Sequence, residues 1–172
     1  ALGYIMSEIP TPCVMISAFT KDGTNETIKS LEFGAVDFVS KPSGVISLDI
    51  DKVGNEIIEK VKLAGRVLPK KLRLIFAERA KEEPRVLKRP SSMNRVFAIA
   101  SSTGGTQALS TIIPSLREDF PASVLVVQHM PEGFTKSLSE RLNWQSRITV
   151  VEAQNNMEIA PATVIIAKGG QH

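Results

Sequence analysis

Two runs of consecutive apolar residues stand out in the second half of the chain, and each ends in residues able to do chemistry. The run at 96–99 precedes A-S-S-T-G-G-T at 100–106, and the run at 124–127 precedes Q-H-M-P at 128–131. Apolar runs without alternation are typical of strands covered on both faces of a parallel sheet. Apolar residues at helical spacing follow each run. The pattern therefore predicts two strand–helix units with polar strand ends.

The same pattern extends to the end of the chain. A helix is predicted at 134–142 and two further strands at 148–151 and 163–167. Alternating strands and helices favour a doubly wound, mainly parallel α/β sheet. Because such a domain normally has more strands than this, we expect residues 95–172 to be an incomplete catalytic domain.

The first 64 residues show a similar α/β pattern. It predicts a helix ending near residue 6, strands at 13–17 and 35–39, and helices at 25–33 and 49–63. Gly34 is placed to terminate the helix before it, because glycine readily adopts a positive φ. We interpret residues 1–64 as one partial domain that begins within its fold.

Residues 65–94 lack clear periodicity and contain Pro69, Pro84 and Pro90 among many basic residues. We interpret this segment as a basic interdomain linker. Basic residues without interleaved aromatic residues are weak support for nucleic-acid binding, and we expect none.

Composition narrows the class of protein. The 172 residues are 42% hydrophobic and 23% charged, with a formal net charge of +3, within the ordinary globular range. No apolar run approaches the ~20 residues needed to span a bilayer, so we expect a cytoplasmic protein without membrane insertion. One cysteine and two histidines form no recognisable metal-binding cluster, and no metal site is predicted.

Ser102 and His129 are the candidate catalytic pair. Neighbouring parallel strands have their carboxyl ends at the same edge of a sheet, so a serine after one strand can meet a histidine after the next. Histidine can take a serine proton near neutral pH, which makes Ser102 a candidate nucleophile and His129 its base. Gly104 and Gly105 would let backbone N–H groups approach an oxyanion. Helix capping without chemistry is the alternative for this turn.

The first domain resembles the second half of a response-regulator receiver domain, with a flavodoxin-like fold. The resemblance lies in S-A at 17–18, then a helix, then G-A-x-D at 34–37 and K-P at 41–42. It implies that Ser17 and Lys41 belong to a phosphate site. The phospho-accepting aspartate of the family would lie before residue 1, and Mg²⁺ is expected only for phosphorylation of a complete receiver domain.

The whole chain resembles the chemotaxis protein-glutamate methylesterases, the CheB family. The specific blocks are S-T-G-G at 102–105, Q-H-M-P-x-G-F-T at 128–135 and V-I-I-A-x-G-G-x-H at 164–172. The resemblance implies a serine esterase that removes methyl esters from chemoreceptor glutamates and also deamidates glutamines. It places Ser102 as nucleophile and His129 as base, with Thr103, Gly104 and Met130 at the active-site edge.

The resemblance also implies features outside this chain. The triad aspartate would lie after residue 172, so we expect the chain alone to be inactive or nearly so. The implied partners are methylated chemoreceptors and a chemotaxis histidine kinase as phosphodonor, and the esterase needs no cofactor. Ser101 stands where the family has another small residue, and we interpret it as a tolerated substitution.

Two other functions remain open from the residues alone. The S-S-T-G-G turn could cradle a phosphate, which would make the domain a nucleotide-binding module, although the P-loop lysine is missing. A response regulator with a non-catalytic, DNA-binding output is the second, although alternating strands and helices do not predict a helix-turn-helix.

Overall fold

The computed structural model describes residues 1–18, 21–42, 50–67 and 95–171. By their contacts these residues fall into two units, one within 1–81 and one within 82–172. From residue 68 onward the predicted linker lies outside the described residues, as does His172.

The first unit is a two-stranded parallel sheet with helices. Its strands β1 and β2 pair so that Ser17 lies opposite Ser40. The elements in order are α1 (Leu2–Glu8), β1 (Val14–Ala18), α2 (Lys21–Glu32), β2 (Asp37–Lys41), a 3₁₀ turn (Ile50–Val53) and α3 (Gly54–Ala64). The order of strands and helices is as the sequence predicts, but α2 begins four residues earlier than the predicted helix at 25–33.

The end of α2 explains why β2 begins two residues later than predicted. Gly34 has φ 97°, and its N–H donates to the Leu31 carbonyl at 3.1 Å while the Ala35 N–H donates to the Ser30 carbonyl at 3.0 Å. This pair of bonds is a Schellman motif. Ala35 therefore completes the helix end, and the regular strand starts at Asp37.

Lys60 on α3 is tied to the start of β2. Its Nζ donates to the Phe38 carbonyl at 2.6 Å and lies 3.4 Å from Asp37 Oδ1 and 2.9 Å from Glu56 Oε1. The side chains of Lys60 and Asp37 are only 15% and 13% exposed. Ion pairs shielded from water are screened less than surface pairs, so this cluster fixes α3 against the sheet.

The second unit is a four-stranded parallel sheet with two helices. The strand order is β3-β4-β6-β5, and every pair is parallel. The elements in order are β3 (Arg95–Ser101), α4 (Gly105–Ser115), β4 (Ala122–Gln128), α5 (Phe134–Gln145), β5 (Thr149–Glu152) and β6 (Thr163–Ile166). The predicted order of strand, helix, strand, helix, strand, strand is confirmed, as is the parallel α/β sheet.

The core of the second unit lies between the helices and one face of the sheet. Its fully buried side chains come from α4, α5, β4 and β6: Leu109, Ile113, Phe134, Leu138, Leu142, Val126, Val164 and Ile166. Full burial of one such side chain contributes about 1.5–3 kcal/mol. This apolar layer fixes both helices against the strands that carry the candidate site.

The expected cover on both faces of the first two strands is wrong for the described residues. Val96 and Phe97 of β3 are 46% and 45% exposed. On β4, Val124 and Val126 are buried, whereas Val127 on the opposite face is 59% exposed. An apolar run specifies that a strand can be buried but not which neighbours cover it, and here β3 and the end of β4 carry exposed apolar side chains. Within residues 95–171 the sheet is therefore not seen to be doubly wound.

Among the helices within residues 1–18, 21–42, 50–67 and 95–171, none combines the length and the apolar character that crossing a membrane requires. In the same ranges, His, Cys, Asp and Glu side chains form no group of three that could hold a metal ion.

Candidate active site

Ser102 and His129 immediately follow the last paired residues of β3 and β4. Ser101 lies opposite Gln128 in the parallel register, and the His129 N–H donates to the Ser101 carbonyl at 2.8 Å. The two strands separate beyond this bond. Ser102 Oγ lies 3.3 Å from His129 Nδ1, and both side chains are exposed. The structure thus brings together the pair that the sequence pattern predicts, while their catalytic roles stay predictions.

The contact between Ser102 and His129 suits proton transfer. When the ring proton is on Nε2, Nδ1 is an acceptor and the serine hydroxyl donates to it. A separation of 3.3 Å is slightly longer than the about 2.6–3.2 Å typical of a nucleophile and its base, as is common without substrate. Among the residues that the structure describes, no carboxylate forms a hydrogen bond with His129.

The turn after Ser102 leads directly into α4. Gly104 precedes the helix with φ 75°, a left-handed conformation that glycine adopts without steric cost. The Gly105 N–H donates to the Ser102 carbonyl at 2.7 Å, which closes the turn. The helix begins without a side-chain cap, and the first N–H groups of a helix have no partner within the helix itself. Thr103, half-buried, lies in the same turn.

Gln128 is a site residue that sequence reasoning missed. Its side chain is 6% exposed. The Nε2 group donates to the Ser102 carbonyl at 3.0 Å and to the His129 carbonyl at 3.2 Å, and Oε1 accepts from Ser101 Oγ at 2.6 Å. Ser101 thus makes a specific hydrogen bond beside Ser102, and its interpretation as a tolerated small residue stays a prediction. The sequence could have indicated this contact, because Ser101 and Gln128 directly precede the two candidate catalytic residues. Residues at matching ends of neighbouring parallel strands lie opposite each other.

In the loop after His129, Met130 is buried, whereas Pro131, Glu132 and Gly133 are exposed. Met130, expected at the active-site edge, follows His129 but has a side chain that is only 6% exposed. Gly133 has φ 82° and begins α5. Gly169, just beyond β6, lies so close to this loop that a Cβ there would be 2.7 Å from the Met130 carbonyl oxygen and 2.6 Å from that of Pro131. The chain after β6 thus lies in close contact with the backbone of the loop that follows His129.

Thr135 connects three parts of this support. Its side chain is fully buried. The hydroxyl donates to Glu152 Oε1 of β5 at 2.6 Å and accepts from the Gly169 N–H at 3.0 Å. A threonine in the first turn of α5 therefore holds both the end of β5 and the loop after β6.

Ser17 and Lys41, the candidate phosphate site of the first unit, lie at neighbouring strand ends. Ser17 pairs with Ser40, and Lys41 pairs with Ala18, in the last two positions of the β1–β2 ladder. This placement brings a hydroxyl and a cation to the same edge of the sheet. Their phosphate-binding role stays a prediction.

The second unit also has an apolar groove, but it lies away from Ser102 and His129. Its volume is ≈ 330 Å³, and its lining comes from the amino ends of β3 and β4 and the turn before β4: Arg95, Phe97, Phe120, Pro121 and Ala122. The rings of Phe97 and Phe120 lie 6.0 Å apart. Because Ser102 and His129 follow the carboxyl ends of the same strands, the groove is at the opposite edge.

Comparison with known proteins shows that this chain is similar to CheB methylesterases. Residues 97–172 match the family model described as CheB methylesterase. A relative from Archaeoglobus fulgidus is 46% identical over 173 residues, covering 100% of this chain and 49% of the relative. A relative from Thermotoga maritima is 44% identical over 172 residues, with the same coverage of both chains. Both are named protein-glutamate methylesterase/protein-glutamine glutaminase.

One solved structure is also similar. The crystal structure of the Thermotoga maritima CheB methylesterase catalytic domain is 49% identical in sequence, covers 48% of this chain and 43% of that chain, and superposes with a TM-score of 0.44. The chain spans about half the length of the curated relatives it matches. Residues 97–172 therefore match part of a CheB methylesterase domain, and the whole chain is similar to about half of each of these protein-glutamate methylesterases/protein-glutamine glutaminases.

Proposed function

We propose that this chain supplies the nucleophile and the base of an esterase that hydrolyses glutamate methyl esters on chemoreceptors. The observation that carries the proposal is the 3.3 Å approach of Ser102 Oγ to His129 Nδ1, within the segment that matches the methylesterase family. The relatives' names supply the substrate class. The structure supplies the reason that these two side chains would act together.

In the proposed reaction, Ser102 Oγ attacks the ester carbonyl carbon while its proton passes to His129 Nδ1. The tetrahedral intermediate collapses, the C–OCH₃ bond breaks, and His129 returns the proton to the leaving methoxide, which departs as methanol. Water then attacks the acyl-serine, with His129 as base again. The products are glutamate and free Ser102. A glutamine side chain would follow the same path with ammonia as the leaving group.

The developing oxyanion needs donors close to Ser102. The turn from Ser102 to Gly105 precedes an uncapped helix start, where backbone N–H groups lack intrahelical acceptors and the helix dipole favours negative charge. Removing one oxyanion donor in a known serine hydrolase costs about 10²–10³ in kcat. We assign this function to the first turn of α4.

The remaining parts of the proposal concern regulation and location. Residues 1–64 would be part of a receiver domain, with Ser17 and Lys41 facing a phosphoryl group, Mg²⁺ needed only for phosphorylation, and a chemotaxis histidine kinase as phosphodonor. The neighbouring positions of these two residues at the ends of β1 and β2 support this reading. A cytoplasmic location follows from such partners.

Methanol release from methylated chemoreceptor membranes tests the function. Because the chain spans about half of its relatives, the assay compares the 172-residue chain with a chimera in which residues 97–172 replace the matching segment of the full-length Thermotoga maritima relative. We expect the chimera to release methanol and the chain alone to release little. Ser102→Ala and His129→Ala should each abolish release, whereas a folded chimera that releases none would contradict the proposal.

A further inference from the structure

We propose that Gln128 is a positioning residue that sets the separation of Ser102 and His129, and that Ser101 supports it by donating to its amide oxygen. The inference rests on the proposed function where it concerns reactivity, but its geometric part stands independently. Neither residue touches the reacting atoms.

The Gln128 side chain continues the strand pairing beyond the end of the sheet. The last bond between β3 and β4 joins the His129 N–H to the Ser101 carbonyl at 2.8 Å, and from there the chains diverge toward α4 and the histidine loop. Gln128 Nε2 spans the gap by donating to both the Ser102 and the His129 carbonyls. One side chain thereby holds the backbones of both candidate catalytic residues.

The orientation of this amide is determined by its neighbours. The Ser102 and His129 carbonyl oxygens can only accept hydrogen bonds, so the NH₂ group must face them. The Oε1 atom then points at Ser101 Oγ, which donates to it at 2.6 Å. In the reversed orientation, Oε1 would face two carbonyl oxygens and both of those bonds would be lost, while Nε2 could still donate to Ser101 Oγ. The two carbonyl groups therefore select the orientation that joins the strand ends, and the Ser101 hydroxyl supplies the donor that Oε1 needs in it.

Because the Gln128 side chain is buried, losing these hydrogen bonds would be energetically costly. Gln128 is 6% exposed, and an unpaired amide at such a site loses hydration without compensation. Gly105 leaves the space for it, because a Cβ at that position would overlap Gln128 Oε1 and lie 2.7 Å from Ser101 Cβ. The first residue of α4 is thus fitted around the amide.

The effect reaches Ser102 and His129 through their carbonyl groups. The Ser102 carbonyl accepts from the Gly105 N–H at 2.7 Å and from Gln128 at 3.0 Å, while Gln128 is a donor to the His129 carbonyl at 3.2 Å. Fixing both backbones restricts the positions of Oγ and Nδ1. A displacement of about 1 Å between reacting groups can cost about 10²-fold in rate, so loss of this clamp should lower the reactivity of Ser102.

The test uses the whole 172-residue chain and two readouts. The first is the rate at which diisopropyl fluorophosphate modifies Ser102, measured by mass spectrometry. In this reaction a bond forms between Oγ and phosphorus, fluoride leaves, and the serine proton goes to His129. The second is the ¹⁵N NMR spectrum of the His129 ring, assigned with His129→Gln. The variants are Gln128→Met, which keeps the length of the side chain without its amide, and Ser101→Ala.

Ser123→Ala is the matched control. Ser123 is buried on the same strand and donates to the Thr163 carbonyl at 2.9 Å, but it lies far from the strand end. We expect Gln128→Met to slow labelling about 10- to 100-fold and to shift the His129 tautomer signals, with a smaller effect for Ser101→Ala and none for Ser123→Ala. A folded Gln128→Met chain with unchanged labelling and spectrum would overturn the inference.

Two further outcomes also decide the question. If Gln128→Met does not fold, Ser101→Ala decides, and equal labelling and spectra for Ser101→Ala and Ser123→Ala would overturn the inference. If Ser102 of the unmodified chain is not labelled, the result agrees with the low activity expected of the chain alone, and the chimera remains the test of the proposed function. The His129 spectrum still tests Gln128 in that case, because a shift in Gln128→Met but not in Ser123→Ala supports the positioning role, and no shift contradicts it.

Discussion

Gly105 lies directly against the side chain of Gln128, leaving no room for a β-carbon at the first residue of α4. An alanine in a helix is ordinarily favoured over glycine by about 1 kcal/mol. Here the added methyl group would overlap Gln128 Oε1 and crowd Ser101. Two elements that meet at the candidate site therefore constrain each other's side chains.

From this contact we expect Gly105→Ala to reduce stability by about 1–3 kcal/mol, the usual cost of overpacking. Urea denaturation followed by circular dichroism measures it. Gly54→Ala is the control, because a Cβ at this first residue of α3 would meet nothing within 4 Å. Equal effects of the two substitutions would show that the overlap with Gln128 does not matter.

Thr135→Val should loosen the loop that follows β6. The substitution preserves shape but removes the hydroxyl that bonds Glu152 and accepts from the Gly169 N–H. Leaving these groups unpaired should cost about 1–3 kcal/mol. Amide hydrogen exchange at Gly169 is the direct measurement, and we expect faster exchange in Thr135→Val but not in Thr135→Ser. Unchanged protection of Gly169 in the valine variant would contradict this role.

Lys60→Met should destabilise the first unit. It removes the bond to the Phe38 carbonyl and leaves Asp37, 13% exposed, without its cation. We expect a loss of about 1–3 kcal/mol in the free energy of unfolding. Lys29→Met is the matched control, since the Lys29–Glu26 pair is 51% and 72% exposed and such surface pairs contribute about 0–1 kcal/mol. A loss no larger than in this control would refute the structural role of Lys60.

Asp119 should titrate below the ordinary range of an aspartate. The Arg117 side chain donates hydrogen bonds to both of its carboxylate oxygens, at 3.0 and 2.9 Å, which lowers the pKa of Asp119. Because the folded-state pKa is depressed, any stabilisation is present above the unfolded pKa and is lost as pH falls through the folded value. NMR titration should show the pKa returning toward normal in Arg117→Gln. An identical titration curve in that variant would refute the pairing.

The sequence predicted the strand ends well because their signals are local. An apolar run followed by Ser102, and another followed by His129, is sufficient to place both residues at one edge of a parallel sheet. The role of Gln128 escaped prediction because it depends on cross-strand register and on the direction of one side chain. The exposure of Val96 and Val127 escaped for a related reason, since apolar character does not identify the covering neighbour.

The sequence predicted the end of α2 better than it predicted the start of the strand that follows. Gly34 predicted where α2 terminates, but the start of β2 depended on the Ala35 N–H being used in the Schellman motif. Ala35 therefore belongs to the helix end, whereas the Val36 N–H donates to the Cys13 carbonyl at 2.8 Å, just before the regular strand begins at Asp37. The burial of Ala35 and Val36 explains why they resemble strand residues in sequence.

The register of β3 against β4 also bears on which length changes this fold can accept. Side chains alternate between the faces of a strand, so one inserted or deleted residue within either strand would move those beyond it to the opposite face. Ser101 and Gln128 would then no longer meet. The segment joining α4 to β4 carries no such requirement. We therefore expect insertions and deletions among related chains to accumulate at the amino-terminal edge of this sheet. The number of residues from the last β3–β4 pair, Ser101 and Gln128, to the two reactive residues should not vary.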